Sequence, residues 1–181
     1  LFAAVWSSAS VAAKIGVTVM QPLVLFQFRF FLAAFILLLY SRIFEPWHLP
    51  DKKEWIQLAV FGFFNITLYL SLFVLAISEV AAGIGSLSTS MSPLMMAMIG
   101  GLFYGKKTSK TQIFGLVLGI IGVWVAVIPL LGDNLATIKG IVFLFISIMS
   151  YSWAALYYSD KTWTLSRYAI NGWQVLFGAI F

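Results

Sequence analysis

The sequence is short of charge and of the side chains that build redox or metal sites. It has no cysteine and a single histidine, His48, among 181 residues. Disulfides and thiolate metal sites are therefore excluded, and we expect no cofactor and no metal. Charged residues make up 9% of the chain, whereas soluble domains carry about 25%. Water therefore cannot be the main solvent of this protein.

Uncharged runs fill most of the chain. Residues 55–78, 80–105, 111–132 and 140–159 contain no charged side chain, and about 20 apolar residues suffice for a helix to cross a bilayer. The sequence therefore predicts an all-α membrane protein, a polytopic helical bundle surrounded by lipid. The predicted spans are residues 1–16, 22–44, 55–77, 80–104, 111–131 and 138–158, followed by part of a seventh span from about Tyr168.

The positive charges alternate between the two sides of this bundle. Loops after the first, third and fifth spans hold only Lys139, with Lys14 at a helix end. Loops after the second, fourth and sixth spans hold Arg42, Lys52, Lys53, Lys106, Lys107, Lys110, Lys161 and Arg167. The positive-inside rule places this second set in the cytoplasm. Charges spread between spans also argue against a nucleic-acid partner, despite the net charge of +5.

A pattern near the beginning of the chain returns about 145 residues later. Trp6 precedes Lys14 by eight residues, and Trp153 precedes Lys161 by eight residues. Each pair lies on a span that also holds several small or hydroxyl-bearing residues. We interpret the two segments as matching parts of an internal repeat.

The repeat divides the chain into two parts. The first repeat covers residues 1–131 and holds five spans, and the second begins within residues 132–181. Because five is an odd number, the second repeat enters the membrane from the opposite side. Inverted repeats of this kind are common in secondary transporters, which hold their substrate near the midplane between the two copies. Both ends of the chain lie inside apolar runs, so we interpret it as a piece of a longer polypeptide.

Short motifs follow one another along the first repeat. In chain order they centre on Trp6, Ser7 and Lys14, then Pro22, Arg29, Phe30 and Ala33, then Pro93 after a run of small residues, then the glycine-rich residues 112–127. In this order and spacing, nearly the whole chain resembles the EamA type of the drug/metabolite transporter superfamily. One departure is the loop after the fourth span, where that family usually has an acidic residue and this chain has Gly105, Lys106 and Lys107.

The resemblance implies ten helices in the full-length protein, arranged as two inverted five-helix repeats. It also implies movement of small metabolites, often outward. We expect a multi-pass protein of the bacterial inner membrane that binds a small-molecule substrate.

Four residues are candidates for the substrate cavity, namely Trp6, Lys14, Tyr69 and Trp153. The alternative for Trp153 is an anchoring role at the membrane interface, and for Lys14 it is a side chain that reaches the headgroups. Further polar groups of the third span, such as Asn65, Thr67 and Ser71, could line the same path. Serine and threonine can equally bond their own helix backbone.

Other residues are candidates for packing. Arg29 lies inside the second span, where we expect it to bond carbonyls of a neighbouring helix, an anion partner being the alternative. Gly115, Gly119 and Gly122 let another helix approach the fifth span closely, and Pro93 fits the same structural role. The partner helix could belong to this chain or to a second copy, so a homodimer remains open.

The leading hypothesis is a secondary transporter that moves a small metabolite by alternating access. The alternatives are a polytopic membrane enzyme and a non-transporting membrane subunit. An enzyme would need a general base or nucleophile, and the predicted spans contain no Asp, Glu, His or Cys.

Overall fold

The computed structural model describes residues 22–77, 79–80, 84, 88, 91–105, 109–132 and 136–181. The predicted first span, with the candidates Trp6 and Lys14, lies outside these residues. Within them the chain is helical, and the one extended contact is an isolated antiparallel bridge between Val80 and Ala136. An all-α architecture is therefore confirmed for the described part of the chain.

Six helices follow one another through the described residues. They are α1 (Pro22–Phe44), α2 (Lys52–Ile77, with a π-helical segment at Phe63–Leu68), α3 (Ser92–Phe103), α4 (Lys110–Gly132), α5 (Ile138–Asp160) and α6 (Arg167–Ile180). Apart from the fourth, the predicted spans in this region begin and end within three residues of these helices. Among the described residues, three helices are long and apolar enough to cross a membrane, namely Phe26–Phe44, Lys52–Ile77 and Ile138–Asp160.

The fourth predicted span is not one unbroken helix. The described helix α3 begins at Ser92, after a turn at Met91, although Ile84 and Ser88 are also helical. Pro93 in the first turn of α3 is the physical reason. Proline has no N–H to donate, and its ring clashes with the carbonyl four residues earlier, so a helix breaks or bends before it. The sequence prediction of a continuous helix over residues 80–104 was therefore wrong.

Helix α6 lies between α1 and α2, and glycines let it approach both. A methyl group on Gly172 would lie 2.8 Å from the Leu38 side chain of α1. Methyl groups on Gly62 of α2 or Gly178 of α6 would overlap the other helix. Small residues at helix contacts are the usual means of close packing in membranes, where the hydrophobic effect gives little drive for helices to associate.

Large apolar side chains cover much of the outer surface of the bundle. Phe28, Phe35 and Phe114 are 64–69% exposed, and comparable side chains stand on the outer faces of α2, α3 and α5. An apolar patch of this extent is unusual on a monomer in water. It fits a protein whose outer face contacts lipid.

Candidate functional site

Helix α2 changes its winding in the middle of its length. Eleven α-helical residues precede the π segment Phe63–Leu68 and nine follow it. A π turn leaves its backbone groups in a different register from an α turn, and such segments often occur at functional sites. If α2 crosses the bilayer, this segment lies near the midplane.

Hydrogen bonds with two other helices hold the π segment. The Ser150 hydroxyl of α5 donates to the Phe64 carbonyl at 2.7 Å. On another side, the Thr67 hydroxyl donates to the Gly178 carbonyl of α6 at 3.0 Å. The π segment is therefore the place where α2, α5 and α6 are joined by hydrogen bonds.

A row of amide side chains extends from the π segment along α6. The Asn65 side-chain nitrogen donates to Gln174 Oε1 at 3.0 Å, and Gln174 Nε2 donates to Asn171 Oδ1 at 3.1 Å. Asn171 in turn donates to the Arg167 carbonyl at 2.8 Å. Gln174 is 4% exposed, and a buried amide is costly unless it is paired. The row therefore fixes the orientation of the Asn65 amide.

A cavity of about 190 Å³ lies beside the π segment, between α1, α2 and α6. Its polar lining residues are Gln27, Thr67 and Ser71, and its aromatic ones are Phe26, Phe30 and Phe181. The Gln27 side-chain nitrogen donates to the Ala179 carbonyl at 3.2 Å. Pockets for drug-sized ligands are about 300–1,000 Å³, so this space suits a smaller solute.

The sequence candidates Tyr69 and Trp153 lie at the contact between α2 and α5. The Tyr69 ring is 5.1 Å from the ring of Tyr151, and the Trp153 ring is 4.5 Å from that of Phe64, measured between centroids. Neither residue lines the 190 Å³ cavity. Their role as cavity residues stays a prediction, as does that of Trp6 and Lys14, which lie outside the described residues.

The packing candidates occupy different surroundings. The Arg29 side chain is exposed, and its guanidinium carbon lies 5.6 Å from the centroid of the Phe26 ring on the same helix. A methyl group on Gly119 of α4 would overlap Leu94 of α3, so this glycine serves a contact within the chain.

Two further glycines of α4 have space around them. A methyl group on Gly115 or Gly122 would meet nothing within 4 Å among the described residues. Among the three candidate glycines, therefore, only Gly119 packs closely against another helix within the described part of the chain. The homodimer prediction stays untested at Gly115 and Gly122.

The helix ends are joined by polar contacts at one end of the bundle. Glu54 is 4% exposed and accepts from the Thr164 backbone N–H at 2.7 Å and from the Asp51 N–H at 3.1 Å. Glu45 accepts from the Ser166 hydroxyl. The loops after α1 and after α5, which the sequence places together in the cytoplasm, therefore meet at this end.

Polar contacts also join the helix ends at the opposite end of the bundle, and we call each of these two sets of contacts a tie. Glu79 accepts from Lys139 Nζ at 3.1 Å and from the Thr137 hydroxyl at 3.0 Å. The Thr137 N–H also donates to the Glu79 carbonyl at 3.1 Å. Hydrogen bonds and the charge of Lys139 hold the pKa of the Glu79 carboxyl below its ordinary value of 4.5. Glu79 therefore stays ionised at neutral pH and pairs with Lys139.

Sequence reasoning missed part of this site. It did not single out Gln27, Asn171 or Gln174. A signal was present, because an amide side chain inside an uncharged span needs a partner there. Glutamine and asparagine residues inside the predicted spans mark all four of these amides, namely Gln27, Asn65, Asn171 and Gln174.

The comparisons with known proteins give one family and several relatives that are named as transporters. The profile of the EamA-like transporter family matches residues 1–128. The chain is 27% identical to the uncharacterized transporter YdfC of Bacillus subtilis, over 84% of this chain and 49% of that protein. It is 25% identical to an uncharacterized transporter of Archaeoglobus fulgidus, over 90% of this chain and 55% of that protein.

A third relative, from Buchnera aphidicola, is also named an uncharacterized transporter, with 27% identity over 97% of this chain and 58% of that protein. The chain thus spans about half the length of these three relatives. No solved structure matches it. The profile covers well over half of the sequence, and three of the described helices have the length and composition of membrane spans. The chain belongs to the EamA-like transporter family.

Proposed function

We propose that the full-length protein is a secondary transporter of a small solute, with its binding site at the π segment of α2 and the adjoining cavity. The observation that carries the proposal is the hydrogen bond between Asn65 and Gln174. It joins the first predicted repeat to the second in the middle of a span. A site between two inverted repeats, near the midplane and beside an irregular helix, is the arrangement that secondary transporters use.

The ties at both ends of the bundle also cross the predicted repeat boundary. At one end, Glu54 of the first repeat binds Thr164 of the second, and at the other end Glu79 binds Lys139. For a passage to open at one end, the tie at that end has to break. In alternating access the two ties release in turn, while the contacts at the π segment stay between them.

Transport is favoured over the alternatives by the family. Relatives of this chain carry the name of transporters, and the family is described as one of transporters. The described residues hold no group of three His, Cys, Asp or Glu side chains that could bind a metal ion. We therefore propose a transporter and not a membrane enzyme or an assembly subunit.

The test uses the full-length protein in liposomes loaded with a mixture of cell metabolites. Mass spectrometry measures which solutes leave faster than from protein-free liposomes, and we expect at least one. A second sample carries Glu79→Cys with Lys139→Cys, joined by a bifunctional methanethiosulfonate. This link should stop the flux, and a reducing agent should restore it. The matched control is the single variant Lys139→Cys with the same reagent.

Two results would overturn the proposal. The first is that no solute leaves faster in the presence of protein. The second is that the flux continues at the full rate when the link between the two cysteines is complete.

A further inference from the structure

Two polar groups that line the 190 Å³ cavity each donate a hydrogen bond to the backbone of α6. Gln27 Nε2 donates to the Ala179 carbonyl, and the Thr67 hydroxyl donates to the Gly178 carbonyl. A side-chain amide has its acceptor oxygen opposite the donor nitrogen, and a hydroxyl that donates its proton keeps its lone pairs. Gln27 Oε1 and Thr67 Oγ1 therefore remain as acceptors, while Gln27 Nε2 keeps one further N–H.

A third polar group stands one helical turn away. Ser71 follows Thr67 by four residues on α2, and both line the cavity. Residues four apart lie on one face of a helix, so the two hydroxyls form a short polar strip, and Gln27 lines the same cavity from α1. The Ser71 hydroxyl can donate or accept. The cavity thus offers an edge rich in hydrogen-bond acceptors.

The rest of the lining is apolar. It consists of the aromatic rings of Phe26, Phe30 and Phe181 together with Ile66, Leu70 and Val74. An apolar wall beside a few placed polar groups is typical of small-molecule sites. The acceptors would orient a ligand, and the apolar wall would hold its remaining part.

We propose that this cavity binds a small solute through its N–H or O–H donors, with an apolar chain packed against the phenylalanine rings. The inference rests on the proposed function, since it names the class of solute that the transporter takes. In this proposal, the N–H and O–H groups of the ligand determine which solutes the cavity binds. A fully N-methylated analogue has no N–H to donate, so it would leave the acceptors of Gln27 and Thr67 unpaired. An acceptor that loses water without gaining a donor lowers the free energy gained on binding.

The test compares two neutral probes, pentanamide and N,N-dimethylpentanamide. They share the same chain, but the second has no N–H donor. Isothermal titration calorimetry on the purified full-length protein in detergent measures both dissociation constants. We expect pentanamide to bind at least about tenfold more tightly, which corresponds to about 1.4 kcal/mol.

A site that works only by apolar contact gives the opposite order, because the dimethyl amide is the more apolar of the two. Equal affinity, tighter binding of the dimethyl amide, or no binding of either probe would overturn the proposal.

Variants locate the effect in the cavity. Thr67→Val keeps the shape of the side chain but removes the acceptor, so the preference for pentanamide should fall to about threefold or less. Ser147→Ala removes a fully buried hydroxyl of α5 that does not line the cavity. This control should keep the preference of the parent protein. An unchanged preference in Thr67→Val contradicts the assignment.

The two proposals can fail separately. If solutes cross the liposome membrane but the protein binds the two probes equally well, the proposed recognition of ligand donors is wrong. The proposal of transport is then unaffected. If the probes are distinguished but no solute moves, the cavity is a binding site and transport is wrong.

Discussion

Asn65 of α2 and Gln174 of α6 share a hydrogen bond of 3.0 Å between residues 109 positions apart in the chain. The bond comes from the π-helical part of α2 and ends on a glutamine that is 4% exposed. In surroundings of low dielectric a satisfied polar pair is strong and an unsatisfied one is costly. This pair therefore fixes how the two helices are aligned.

Asn65→Leu should destabilise the protein more than removal of both partners does. The single variant leaves Gln174 Oε1 buried without its donor, which costs about 1–3 kcal/mol. The double variant Asn65→Leu with Gln174→Leu replaces a polar pair by an apolar one, which can be nearly neutral. Thermal unfolding of the full-length protein in detergent measures the difference. A double variant that is less stable than the single one would contradict this reading.

Gly62→Ala should lower the melting temperature, because its methyl group would overlap the Gln174 carbonyl of α6. Overpacking of this kind costs about 1–3 kcal/mol. The matched control is Gly122→Ala on α4, where a methyl group meets nothing within 4 Å among the described residues. Alanine there should be neutral or stabilising, since it is the better helix former. Equal effects of the two substitutions would show that α2 and α6 are not in close contact.

The tie between Glu79 and Lys139 should weaken in acid. The folded-state pKa of Glu79 lies below its ordinary value of 4.5, so its contribution to stability is present above that value and is lost as pH falls through the lowered pKa. From pH 7 to pH 5 the parent protein should therefore have a slightly higher melting temperature than Glu79→Gln. This gap in melting temperature should close as the pH falls below the pKa of Glu79. Lys139 is exposed and Glu79 is partly exposed, so salt should also reduce the gap. A gap that widens in acid would reverse the assignment.

The sidedness of the bundle can be tested with two exposed positions. Ser109 precedes α4 and Lys139 lies near the start of α5. The positive-inside pattern predicts that Ser109→Cys in the full-length protein reacts with a membrane-impermeant maleimide only from the cytoplasmic side. Lys139→Cys should react only from outside. Labelling of both from one side would mean that α4 does not cross the bilayer.

The helix boundaries followed from the sequence to a useful extent. Apolar runs located α1, α4, α5 and the start of α6 closely, because lipid requires each span to be continuous and apolar. The early start of α2 was also readable. Asp51 and Glu54 have the spacing of a capping box, and the structure shows Glu54 accepting from the Asp51 N–H.

The site itself followed from the sequence only in part. Asn65, Thr67 and Ser71 were recognised as polar groups of one span, but their partners Gln174 and Gly178 lie more than 100 residues away. Nothing in the local pattern distinguishes a π turn from an α turn in an apolar run, since both bury similar side chains. These features depend on how helices pack, and packing partners cannot be read from the period of one helix.

Helix α6 has a consequence for how the protein is made. Its contacts with α1 join residues as far apart as Gln27 and Ala179, which are separated by 152 positions, and Gly172 of α6 lies against Leu38 of α1. Contacts between distant parts of a chain form late and slow folding. Because α6 fills the space between α1 and α2, those two helices reach their final packing only after the ribosome has delivered α6 to the membrane. A chain that stopped before α6 would leave that space unfilled, so the final packing of α1 and α2 depends on α6.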